Sequence, residues 1–180
     1  MRKFLKTLKL MLYLQVMLMV QVATFQFNQG YGSSLGSDVD IGDGSGGNYF
    51  NFMNADITAP LTPVYTANPI TAGNCSFDVG IRGHWTGTFN SISNIRVWWT
   101  KVLTGYGTSA DITASIQAGG FTPSASDNGD SSAPTSEGTG LQPTYSSNYC
   151  QWTRHQLETD SDATPGDGGS STLHLSYDET

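Results

Sequence analysis

The sequence predicts an all-β fold, an antiparallel β-sandwich, on three observations. Of its 180 residues, 20 are Ser, 21 Thr and 21 Gly, a composition poor in strong helix formers and rich in turn residues. Only 13% of the chain is charged while 11% is aromatic, so the low charge does not come with the low hydrophobicity of a disordered chain. Beyond residue 22 apolar and polar residues alternate with period two, the mark of half-buried strands. A helical bundle and a parallel α/β enzyme are both disfavoured.

The strands follow in order along the chain. Val22, Thr24 and Gln26 alternate with Ala23, Phe25 and Phe27 until N-Q-G-Y-G ends the run. A Gly/Ser/Asp loop follows, with Val39 and Ile41 in a brief strand. Tyr49, Asn51 and Met53 then alternate with Phe50 and Phe52. Between Thr58 and Pro69 three prolines lack the donor a central strand needs, so this stretch is an edge or an extended linker. Phe77, Val79 and Ile81 share one face; after Gly83, Trp85, Gly87 and Phe89 oppose Thr86 and Thr88. A turn at Ser91 to Asn94 leads to Ile95, Val97 and Trp99 on one face and Arg96, Trp98 and Thr100 on the other. After the G-Y-G turn at Gly105 to Gly107, Ile112, Ala114, Ile116 and Ala118 resume the pattern. Asn148 to Glu158 and Leu173 to Tyr177 supply the last strands, and a strand this close to Thr180 implies a C-terminal end tied into a sheet. Eight to ten short strands with no convincing helix point to a sandwich of jelly-roll or immunoglobulin-like kind. No fixed-period repeat is visible, which disfavours a propeller or solenoid.

From Gly119 to Ser147 the pattern is lost, with Phe121 and Leu141 almost alone among Ser, Thr, Gly, Pro and acids. Loops this long inside a compact domain are functional or disordered. The stretch reads as a contact loop or as a solvated surface excursion.

Residues 1–24 form a basic, hydrophobic leader ahead of a single domain over 25–180. Arg2, Lys3, Lys6 and Lys9 precede the apolar run LMLYLQVMLMVQVA, the layout of a secretory signal peptide. Two alternatives stand beside it: a start further in, at Met11, Met17 or Met19, and a membrane anchor, which is short of the usual ~20 apolar residues. Those four cations are half of all eight basic residues, whereas all 15 acids lie at Asp38 or later. From residue 28 onward four basic and 15 acidic residues give −11. A body so charged repels phosphate backbones, which excludes a general nucleic-acid binder.

Few residues suggest chemistry. Cys75 and Cys150 are the only cysteines; if their strands face each other, a disulfide would close a loop worth roughly 4 kcal/mol, and otherwise both are buried thiols. The spacing from Cys75 to Trp98, and Asn148 where a Tyr is expected, depart from a true immunoglobulin core. His84, His155 and His174 fall on three strands with no metal-ligand spacing. No G-x-S-x-G, no recognisable Ser, His and acid set, and no phosphate-binding Gly loop occurs. Asp38, Asp40 and Asp43, and Asp160, Asp162 and Asp167, are calcium candidates that also fit ordinary Asx turns. Asn74-Cys75-Ser76 formally matches a glycosylation sequon. Adjacent Trp98 and Trp99 must face opposite ways, so one needs cover from a ligand, a neighbouring subunit or the chain's own loop. With Trp152 they are the candidates for subunit contact or sugar stacking.

The stretch FNSISNIRVWWTK, the G-Y-G turn, the Ser/Thr-rich middle and the final LHLSYDET together resemble small β-sandwich structural proteins of tailed phages and related environmental viruses, over about residues 68–180. The resemblance implies a non-enzymatic role without a cofactor, in a virion or appendage or outside the cell, packing against other copies or partner proteins. A secreted carbohydrate-binding or adhesion module using an exposed Trp is the alternative.

Overall fold

The computed structural model describes residues 22–31, 35, 37–42, 52–56, 68–164 and 169–180. Most of the leader, Tyr49 to Asn51 of the expected strand reaching Met53, and most of the Pro-containing stretch lie outside them, and the described Phe52 and Met53 are not in a strand. The described chain is almost all β, in two antiparallel sheets. It runs β1 (Val22–Tyr31), β2 (Ser37–Gly42), β3 (Val79–Thr88), β4 (Ile92–Thr100), β5 (Asp111–Gln117), β6 (Tyr145–Ser146), β7 (Tyr149–Cys150), β8 (Trp152–Glu158) and β9 (Thr172–Glu179), with one 3-10 turn at Glu137–Thr139. Because Val22, Ala23 and Thr24 pair with Thr88, Gly87 and Thr86, the domain begins inside the leader as drawn from sequence. Val22 and Ala23, the last residues of the apolar run, are strand residues.

The larger sheet pairs β2 with β1, β1 with β3, β3 with β8, and β8 with β5, and β7 and β6 extend it beside β3. The smaller sheet is β4 with β9 alone. Side chains of both sheets share one apolar interior. Trp85, Ala23 and Cys150 of the larger sheet cluster with Ile92, Ile95 and Val97 of β4, and Trp99 of β4 meets Ile112, Ala114 and Leu157. The alternation in I-R-V-W-W is realised as read: Ile95, Val97 and Trp99 are buried, while Arg96 and Trp98 are only half-buried.

Two local readings change. Gly83 does not divide two strands, since β3 runs straight through it. A Cβ there would stand 2.5 Å from Trp85 Cη2 and 3.0 Å from Phe25 Cε2, so the glycine makes room for the indole rather than breaking the strand. The expected turn at Ser91 to Asn94 is instead the start of β4, where Asn94 adopts a φ of 50° and the register with β9 shifts between Ser93 and Arg96, a bulge.

The long stretch after β5 is pinned rather than free. Ala114 N–H donates to Ser131 and Ala133 N–H to Ile112, along the edge of β5. A few residues on, Trp99 N–H donates to Pro134, and Val97 and Leu141 exchange both backbone bonds, along the edge of β4. Residues 131–141 therefore strap the two sheets together along one side. Their polar sequence hides this because the strap uses main-chain groups, with only Ala133 and Leu141 turned into the core. The C-terminal end is held too: Thr180 accepts from Asn90 and Ser91 N–H and donates to Ser91.

Gly83→Ala is expected to destabilise the fold by about 1–3 kcal/mol through overpacking against Trp85; denaturant unfolding checks it, and an unchanged midpoint would mean the indole has other room.

Candidate functional site

Among the described residues, a polar chain crosses the interior. Trp99 Nε1–H on β4 donates to His155 Nδ1 on β8 at 3.1 Å. His155 Nε2 lies 2.8 Å from Thr153 Oγ1, and Thr153 Oγ1 donates to the Ile81 carbonyl at 2.9 Å. One assignment satisfies every member: Nδ1 accepts, Nε2 carries the proton and donates to Thr153. His155 is 0% exposed, and burial drives its pKa down to about 3, with nearby Asp130 a smaller opposing influence. It is a neutral strut between the sheets, not an acid–base group facing solvent.

The four tryptophans have distinct fates. Trp85 and Trp99 are buried at 0% and 2% exposure, so the expectation that Trp99 could stack on a sugar or a subunit is corrected: its ring is core. Trp152 is also buried, its Cη2 3.0 Å from where a Cβ on Gly30 would stand. Trp98 is half-buried, and its cover comes from the neighbouring strand. Its ring stacks on His174 with centroids 5.2 Å apart and planes 10° apart, and His174 Nε2 lies 2.9 Å from Thr100 Oγ1.

Register on the outer face of the larger sheet builds a column the sequence alone did not reveal. Arg82 lies 3.7 Å from the Tyr149 ring centroid and 4.3 Å from that of Trp152, while His84 stacks on Tyr149 at 4.3 Å. Two groups that close cannot share a ring face, so the order is His84, Tyr149, Arg82, Trp152, and both faces of Tyr149 are taken. Arg82 Nε also donates to Asp38 at 3.0 Å. Beside the column lies an open groove of about 290 Å³ bordered by Arg82, Gln117, Thr144, Ser146, Tyr149 and Gln151. The pairing of His84 with Tyr149 is what brings the aromatic rings to Arg82 and His84.

The acidic turns are likewise spent on the protein. Asp38 pairs with Arg82 and Asp40 accepts from Gly42 N–H; Asp43 and Asp167 lie outside the described residues. Asp162 accepts from Thr108 N–H and Oγ1, and Asp160 from Ser161 N–H and Ser109 N–H; these bonds, for Asp160 first that from Ser161, hold both carboxyls below their usual range. Among the described residues no group of three or more His, Cys, Asp or Glu is arranged to hold a metal. Of the calcium candidates, the described Asp38, Asp40, Asp160 and Asp162 are thus turn and ion-pair residues.

Cys75 and Cys150 are free thiols, the second of the two readings rather than the possible disulfide. Cys75 bridges to Glu158 at the far end of β8, whereas Cys150 precedes the near end. Their separation along the strands, at ~3.3 Å per residue, is several times the reach of a disulfide. Cys150 Sγ accepts the Gly83 N–H at 3.0 Å, and burial pushes its thiol up to about 11. Cys75 is pushed up as well, by burial and then by Glu158 and other carboxylates. Neither is a poised nucleophile.

A second polar cluster anchors the first half of the long loop onto β8. Arg154 makes two bonds to Asp130, of 2.8 and 2.6 Å. Gln156 Nε2 donates to the carbonyls of Ser76, Ser124 and Ser126. Asp78 accepts from Asn128 Nδ2 and Ser124 N–H, and burial, outweighing those bonds, pushes its carboxyl up. Each member is used in holding a loop.

Stability is expected to fall on acidification because of His155. The unfolded imidazole takes a proton below its ordinary 6.5, while the folded one resists until about 3. The unfolded state therefore binds more protons in that window, and about 2 kcal/mol is lost from pH 7 to 5. Asp78 and Glu158, whose carboxyls burial pushes up, act in the opposite sense. A His155→Gln variant, which keeps an acceptor for the indole but does not titrate, is expected to show a flatter unfolding-midpoint profile across that window; an identical slope would show that His155 is not the group responsible.

Searched against family models, curated proteins and solved structures, the chain matches none.

Proposed function

We propose that this protein is a non-enzymatic structural β-sandwich, a component of a viral particle or extracellular appendage that works by associating with other protein subunits through its sheet edges. One observation carries the reading. The polar groups that would have served chemistry are committed to holding loops and sheets together, whereas two strands, β2 and β9, bond on one side only among the described residues. An open strand edge is a row of unpaired donors and acceptors, the usual template for pairing with another chain. The phage-like layout of the stretch from Asn68 to Thr180 supports a virion or surface location.

A carbohydrate-binding module remains the second reading, favoured by the groove beside Arg82 and by the half-buried Trp98–His174 pair. Its aromatic residue is Trp98, since Trp99 and Trp152 are covered.

Sedimentation of the full chain is expected to show a stable oligomer. A monomer retained on immobilised polysaccharide would replace the structural reading by the module, and on that reading Trp98→Ala abolishes retention while the circular dichroism spectrum stays that of a β protein.

A further inference from the structure

We infer that the side of the molecule opposite the strap is the interface with a second copy of this chain, formed by antiparallel pairing of the first half of β1 with itself about a two-fold axis at Thr24. The inference rests on the structural reading above and names its partner.

The strap of residues 131–141 occupies the edges of β5 and β4, so that side is closed. On the opposite side β2 covers β1 only from Phe27 to Tyr31. Among the described residues, Val22 to Gln26 therefore have β3 on one side and no strand on the other. The smaller sheet ends at the same place, with Tyr177 of β9 over Phe25 at 5.7 Å between ring centroids. A single bond joins the two edges there, from Ala23 N–H to Glu179 Oε1 at 2.8 Å. That bond also shows which way the backbone groups point: the N–H of Ala23 faces away from β3, toward the open side. Val22, at 58%, is the more exposed of the two large hydrophobic residues singled out as exposed, and it opens this stretch.

The chemistry of the edge selects its occupant. From residue 28 onward the chain carries −11, so two copies repel over most of their surface and can meet only where charge is absent. V-A-T-F-Q is uncharged throughout. Paired with itself about Thr24, it sets Val22 against Gln26, Ala23 against Phe25 and Thr24 against Thr24. Directly opposed residues of an antiparallel pair share a face, so inward Ala23 meets inward Phe25 and outward Val22 meets outward Gln26. The open edge of β2 cannot do this: pairing β2 with itself about Val39 would set Asp38 against Asp40, like charges that destabilise a cross-strand pair. Glu179 is the guard on the β1 edge, since its carboxylate must release Ala23 N–H before a neighbouring strand can take that donor.

Thr24 is exposed and its side chain is unneeded for the core, so charge at this position tests the interface without unfolding the domain. Wild-type full-length chain is expected to sediment as a dimer. Thr24→Lys and Thr24→Glu, each alone, place like charges on the axis and are expected to weaken the dimer by roughly 100-fold. Mixing the two variants is expected to restore it as a heterodimer. A wild-type oligomer that neither variant weakens would overturn the β1 interface while leaving edge association standing. A wild-type monomer at every concentration would overturn both. Variants that dissociate but do not recombine on mixing would likewise overturn pairing about Thr24.

Discussion

The bond between Trp99 and His155 is the constraint around which the two sheets are arranged. It is the polar tie that crosses the apolar interior directly from the smaller sheet to the larger. Its geometry fixes more than a distance. By occupying Nδ1 it sets the imidazole tautomer, which aims Nε2 at Thr153, which in turn caps the Ile81 carbonyl. In a low-dielectric interior such a chain strengthens when complete and is costly when broken, because each deletion strands a buried polar atom. Apolar packing alone allows sheets to slide; a directed bond at 3.1 Å between named atoms does not.

Around that strut the molecule divides its polar residues by task. The Ser/Thr-rich stretch after β5 uses its backbone to close one side of the sheet pair, and Asp78, Asp130, Arg154 and Gln156 hold its first half down. Arg82 is shared between Asp38 and two aromatic rings. These bonds engage Asp38, Asp78, Asp130, Arg82 and Arg154 within the protein itself, and that internal use is what the proposed assembly role leans on.

Much of the strand pattern was legible in the sequence, because period-two alternation reports directly on which side chains face a core. Ile95, Val97 and Trp99 are inward as the alternation requires, and Leu173, Leu175 and Tyr177 pack on the same clusters. Readings that needed residues far apart in sequence fared differently. Gly83 reads as a break because the indole that fills its missing Cβ cannot be seen locally. The strap reads as a loop because main-chain pairing leaves no side-chain signature. Two cysteines beside aromatic residues read as a pair, yet β8 separates them by its length.

By itself, then, the sequence determined an all-β antiparallel architecture, the inward face of each main strand and a body of one charge sign, since these depend on composition and on a periodicity carried within a few residues. Tertiary structure decided which partners those faces and edges meet: that His155 ties the sheets, that Trp99 and Trp152 are buried, that Asp38, Asp160 and Asp162 serve an ion pair and turns, and that the strap closes one side of the described sheets. Strand register links residues dozens of positions apart, and that information exists only once the chain has folded.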